Sequence, residues 1–390
     1  MAGKLALYAA VGATLTQYDV DVAAATLERR SSVQLPANIH YAVAHVSRRY
    51  LYVATSDSSS GSGSFVGNTH HLSAFRIDPA SGALTPHGAP CALPTRPIHI
   101  TTDAKSAHVL VAFNRPSQLL VFAVNADGTL RGEVKQHAAI DAGIFAHQVR
   151  ISADDELAIL VTRGNDAAGG KPEDPGSLRV FDYRDGQLSR ETSIAPNNGY
   201  GFGPRHLDFH PTQPWIYVAL ERQNALAVFR RRGDTIESAA AFTAGALEAP
   251  HNLRPRQMVG TVRVHPNGRF VYVANRNDAT SAFAGHEVFG GGENSLACFA
   301  IDASTGEPKV IGHADTRGIH CRNFQIDPTG KLLAASHIVG RKVRDGDAVR
   351  EVPACISLFC IDDDGRLAFA RKYDIDIGAQ NMFWMGLVDF

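Results

Sequence analysis

One unit recurs along this chain: a short apolar strand, a tight turn, and a second apolar strand that tends to end in a pattern such as Tyr-Val-Ala. Copies run over 39–55, 97–115, 146–163, 204–221, 260–276 and 321–337. The turns Pro266-Asn267-Gly268 and Pro328-Thr329-Gly330 place glycine where a positive φ is needed. A third strand follows each copy, carrying a phenylalanine near its end: Phe75, Phe122, Phe181, Phe229, Phe299 and Phe359. A glycine-containing turn and a fourth strand usually come next. Four strands per repeat predict the blades of a propeller.

Six complete units lie inside the chain, and the ends supply a seventh. Residues 381–388 read as an innermost strand and 4–11 as the strand beside it, so the termini share one blade. That closure removes the edges an open array would expose. The expected fold is all-β: a seven-bladed β-propeller with four antiparallel strands per blade, in one domain spanning 1–390. Loop insertions interrupt it near 56–70, 165–177, 277–295 and 340–354, and their Gly, Ser and Pro content reads as loop rather than domain. Each insertion near these positions follows a second strand, so all are expected at one mouth of the propeller.

The chain holds 38 basic and 39 acidic residues, so its overall charge offers no field for nucleic acid or an anionic membrane. Five cysteines are scattered without a C-x-x-C pair, which fits reduced thiols and a cytoplasmic location. The apolar run after Lys4 passes into the alternating Gln17-Tyr18-Asp19-Val20-Asp21 and reads as strand, not signal peptide. No phosphate-cradling glycine loop, dinucleotide fingerprint or Gly-x-Ser-x-Gly elbow appears, and no histidine spacing demands a metal. The sequence calls for no cofactor.

Candidate chemistry follows from blade geometry. First strands start, and second strands end, on one face near the central axis. Starts contribute His147, Arg205, His206 and Arg322, with His99 a further candidate; ends contribute Asn114-Arg115, Arg163, Glu221-Arg222, Asn275-Arg276 and His337. Arginine forks hold carboxylate or phosphate, and histidine titrates near neutral pH. Such a ring predicts a site for a small anionic substrate with acid–base capacity.

The residues Gly203-Pro204-Arg205-His206, Phe209-His210-Pro211 and Glu221, with His147, Asn275-Arg276 and Arg322-Asn323-Phe324, resemble the seven-bladed propeller lactonases. That family includes propeller-type 6-phosphogluconolactonases and 3-carboxy-cis,cis-muconate cyclases. The resemblance spans nearly the whole chain and implies a catalytic set of His147, Arg205, Glu221 and Arg276. His206, Arg163, Arg322 and Asn275 are expected to bind substrate, an anionic lactone or carboxylate. Hydrolysis of a sugar-acid or carboxylic-acid lactone is the expected reaction, with His147 or Glu221 as base. The alternatives are lactone-forming cycloisomerisation and a non-catalytic binding propeller. Three places depart from the family pattern: Thr162-Arg163-Gly164 replaces Asp-Leu-Gly, Thr261 replaces a Glu, and His320-Cys321 replaces a Pro.

Overall fold

The computed structural model describes residues 4–58 and 67–390. Seven antiparallel sheets of four or five strands form the blades. Their innermost strands are Asn38–Ala44, Pro97–Thr102, Ala146–Ile151, Pro204–Phe209, Met258–Val264, Cys321–Ile326 and Met382–Asp389. Each touches the next, and the seventh returns to the first, closing a ring. The seventh blade joins Met382–Asp389 from the C-terminus to Leu5–Val11 from the N-terminus, as the sequence predicts.

The second strands are apolar through their middles, because both of their faces are covered there. In Trp215–Leu220, Tyr217 and Ala219 face the fifth blade, while Ile216, Val218 and Leu220 face the third. Seven apolar clusters result, one between each pair of neighbouring blades. The third-strand phenylalanines all pack toward the preceding blade. Recurrent tyrosines latch one blade to the next: Tyr52, Tyr217 and Tyr272 donate to the carbonyls of Gly128, Gly306 and Gly365 at 3.2, 2.9 and 2.9 Å. Gly268 and Gly330 both adopt φ 72, as the turn reading requires. A Cβ at either would collide with a neighbouring histidine, His210 or His265, at 2.6 or 2.4 Å.

Every innermost strand carries a bulge at the same level. His40, Ile98, His147, Arg205, Arg322 and Phe383 are each skipped in the pairing with the second strand. In the fifth blade Gly260 and Thr261 together oppose the single residue Ala274. A bulge re-aims its side chain and breaks the strict in–out alternation. It lets both Arg205 and His206, adjacent in sequence, face the axis.

Two insertions read as loops are in fact structured. Thr280–Phe283 pairs with His286–Phe289, and Arg341–Asp345 with Ala348–Val352, making two hairpins. They lean on each other, with the Arg344 guanidinium 4.3 Å from the centre of the Phe283 ring. The short glycine-containing turns that close them, Ala284-Gly285 and Gly346-Asp347, resemble loop composition and hide the pairing. Most of the serine-rich stretch in 56–70 lies outside the described residues. No helix among the described residues is long and apolar enough to cross a membrane.

Candidate active site

Glu221 follows the strand Trp215–Leu220 directly, at the mouth, and is 2% exposed. Three guanidinium groups surround its carboxylate. Arg163 Nη1 donates to Oε2 at 2.7 Å, and Arg276 Nη2 donates to Oε1. Arg205 Nε lies 3.0 Å from Oε1, close enough for an ion pair but out of line for a hydrogen bond. Burial alone would raise the Glu221 pKa, but Arg276, Arg205 and Arg163 outweigh it and hold the carboxyl at about 2. An anion so engaged organises arginines; it is a weak proton acceptor at neutral pH.

His147 stands on the bulge of the neighbouring blade. It shares a small cavity with Arg205, His206, Arg322, Thr261 and Phe383. Its ring centre is 5.1 Å from that of His206, and its Nδ1 is buried without a hydrogen-bond partner. Burial first, then the charges of Arg205, Arg322 and Arg163, hold its pKa well below 6.5. His147 is therefore a neutral imidazole beside a cation, with a lone pair no protein group occupies. His206 is neutral for the same first reason, burial, followed by Arg205.

Arg322 differs from the other arginines. Its Nε donates to the Phe383 carbonyl at 3.2 Å, and its guanidinium lies 3.7 Å from the centre of the Phe383 ring. Among the described residues no carboxylate reaches it within ion-pair distance. Burial, with Arg276 and Arg96, lowers its pKa to about 9, so it remains charged at neutral pH. Arg96 is similar: it donates to Asn114 Oδ1 at 3.3 Å and has no acidic partner among the described residues.

The structure thus brings together His147, Arg205, His206, Glu221, Arg163, Arg276 and Arg322. Four expected residues have other tasks. Asn275 is fully buried, and its amide donates to Ala246 O at 2.7 Å and Ser295 Oγ at 3.0 Å, so it braces the mouth from inside the blade. His337 is bound to the Cys355 carbonyl at 3.0 Å, within the sixth blade. His99 sits one level deeper, 4.1 Å from Tyr41 between ring centres, and faces the cavity of the opposite mouth. Arg222 is used in holding the 165–177 insertion, through Asp166 at 2.6 Å and through Glu173.

Sequence reasoning passed over His40, Arg96 and Phe383. His40 and Phe383 occupy the bulge level of their blades, in T-shaped contact at 4.9 Å. Aligning the repeats on the residue before each Tyr, His or Asn of the inner strand would have found His40. Among the described residues no three His, Cys, Asp or Glu side chains gather as metal ligands would.

The model of the seven-bladed β-propeller lactonases matches residues 5–344. The chain belongs to that family of enzymes. Among curated relatives, the 6-phosphogluconolactonase of Bacillus subtilis is 27% identical over 275 residues, covering 68% of this chain and 70% of the relative. That of Serratia proteamaculans is 24% identical over 320 residues, covering 80% and 82%. Among solved structures, the periplasmic gluconolactonase of Pseudomonas aeruginosa superposes with a TM-score of 0.72 at 20% identity, covering 99% of each chain. This last likeness is one of fold.

Proposed function

We propose that this propeller lactonase hydrolyses a small lactone of a sugar acid or related carboxylic acid, with His147 as the general base. The observation that carries the reading is the neutral, unpartnered imidazole of His147 in one cavity with Arg205. His147 takes a proton from water, and the resulting hydroxide attacks the lactone carbonyl. Arg205, held from behind by Glu221, faces the oxyanion that develops. Collapse of the tetrahedral intermediate breaks the ring C–O bond, and the imidazolium returns its proton to the leaving alkoxide. The product is an open hydroxy acid. Glu221 keeps Arg163, Arg205 and Arg276 in place and moves no proton. The 6-phosphogluconolactonase names of the relatives support a sugar-acid lactone as substrate.

Arg322 and Arg96, cations without carboxylate partners, serve substrate anions. The same feature favours a second reading, lactone-forming cycloisomerisation, in which they orient a diene carboxylate while His147 handles the proton. The five cysteines, none of them disulfide-bonded, support a cytoplasmic setting. The test is a panel of aldonolactones, phosphorylated lactones and muconates, followed by pH change and ultraviolet absorbance. Turnover of a lactone to its acid is expected. Turnover of muconates alone would replace hydrolysis with cyclisation, and turnover of nothing would remove the enzymatic reading.

A further inference from the structure

Behind Arg276 two insertions and a loop converge on one carboxylate, Asp278. Its Oδ2 lies 3.3 Å from Arg341 Nη2, at the start of the second hairpin, and its Oδ1 lies 2.9 Å from Arg256 Nη2. The same Oδ2 lies 3.3 Å from His320 Nδ1. That contact is bent away from an ideal hydrogen bond and acts as electrostatic orientation of the ring. His320 Nε2 in turn lies 2.6 Å from Arg276 Nη1.

The chemistry of the chain Asp278–His320–Arg276–Glu221 has one consistent protonation pattern. A guanidinium only donates, so His320 Nε2 must present its lone pair to Arg276. The ring proton is then on Nδ1, facing Asp278. Burial, only partly opposed by Asp278, brings the His320 pKa to about 4, so the ring is neutral at neutral pH. Arg276 is held on three sides: by Glu221 at Nη2, by His320 at Nη1, and by the Val259 carbonyl 3.4 Å from Nε. Its remaining N–H bonds have a fixed direction.

The backbone supports the same interpretation. His320 has φ 59, a left-handed conformation uncommon outside glycine. Its N–H donates to Asn294 Oδ1 at 2.7 Å, which helps hold it there. Residues kept in sparsely populated backbone regions persist where the surroundings over-determine them, and they cluster at functional sites.

We propose that Asp278 and His320 are positioning residues for the mouth: a second carboxylate acts through a neutral imidazole to fix the Arg276 guanidinium opposite Glu221, and Arg341 links this support to the 340–354 hairpin. The proposal rests on the lactone-hydrolase reading, with Arg276 in the catalytic set that the family resemblance implies. In consequence, the two hairpins are part of the machinery that aims an arginine, and their contact with the site runs through hydrogen bonds and charge.

The test compares His320→Leu, His320→Gln and Arg341→Met with the parent, using whichever lactone the parent turns over. Glutamine can accept from Arg276 through its carbonyl and donate to Asp278 through its amide, whereas leucine can do neither. His320→Leu is expected to lower kcat by about 100-fold, the scale of a small misplacement of a reacting group. His320→Gln should recover most of that loss, and Arg341→Met should lower kcat by roughly tenfold, one supporting contact being worth about 1.4 kcal/mol. If leucine and glutamine lower kcat alike, or if Arg341→Met has the parent's kcat, the proposal fails. Nitrogen NMR of the parent, with His320 assigned by its absence from the His320→Gln spectrum, reads the tautomer directly. A proton on Nδ1 is expected; a proton on Nε2 overturns the arrangement. If the parent turns over no lactone, the functional reading fails, and the nitrogen spectrum still decides this one.

Discussion

The mouth of the propeller has two unlike halves. In the sector built by the third to fifth blades, three arginines share the carboxylate of Glu221 and each is braced by it. In the sector built by the sixth, seventh, first and second blades, Arg322 and Arg96 stand with His40, whose two ring nitrogens are buried without partners. One half pairs its guanidinium charges with a carboxylate. The other carries charge and hydrogen-bonding capacity that protein groups leave unused. A buried cation without a counter-ion is costly, and a site that tolerates one gains on binding an anion. On the proposed lactonase reading the contrast separates the work: the Glu221 sector holds catalytic geometry, and the Arg322 sector receives the substrate's charge.

The contrast breaks most visibly at Glu221. Glu221→Gln leaves three guanidinium groups around a neutral amide, and removing one partner of a buried pair costs about 3–5 kcal/mol. A large fall in melting temperature and loss of lactonase activity are expected together. Because the folded-state pKa is depressed, this carboxylate contributes stability above its unfolded pKa and loses it as pH falls toward about 2. Acid titration of stability should therefore show a limb below pH 4.5 that the Gln variant lacks. A Glu221→Gln protein as stable and active as the parent would dissolve the distinction between sectors.

His147→Asn comes next. Loss of a general base lowers kcat by about 10²–10⁴ while leaving the fold intact, which circular dichroism and steady-state kinetics would show. Since burial and the nearby arginines lower its pKa, the base form persists below pH 6.5, and the acid limb of kcat/KM should fall under that value. A limb at or above 6.5 would point to a different base.

Arg322→Met sharpens the other half. KM for an anionic lactone should rise by roughly tenfold or more, the loss of one charge-assisted contact of about 1.5–3 kcal/mol. Stability should hold or improve, since an unpaired buried charge is gone. A fall in melting temperature as large as that of Glu221→Gln would show that the sectors are alike. The smallest effect is a control. Tyr217→Phe and Tyr52→Phe each remove one inter-blade latch, one on each side of the ring, and should each cost about 1 kcal/mol in chemical denaturation. Unequal losses would show that the scaffold itself is asymmetric.

The repeat made the scaffold legible, because covering both faces of a second strand forces an apolar run such as Trp215-Ile216-Tyr217-Val218-Ala219-Leu220, and the run recurs at each blade. The shared terminal blade was legible for the same reason. Arg205, Glu221 and Arg276 could be placed at one mouth because strand ends alternate between the two faces. The bulges could not be read, since they are a property of pairing register, and so His40 and Phe383 escaped notice. Asn275 was misassigned because a strand residue beside Arg276 was expected to share its outlook. Asp278 lies in an insertion whose sequence is unlike those at the same point of the other blades, where a repeat offers no guide. His320 was visible only as a departure from the family pattern, and its meaning required the distance to Arg276.

The ring of bulges has one more consequence. A residue skipped by the ladder contributes little to strand pairing, so its identity answers to what it meets near the axis. The seven blades thus hold one such position each, at a common height around a common axis: His40, Ile98, His147, Arg205, Thr261, Arg322 and Phe383. Such a ring works like a combination lock with coupled wheels: His40 and Arg322 both lie against Phe383, and Thr261 donates to the Arg322 carbonyl. Changing one wheel therefore disturbs its neighbours.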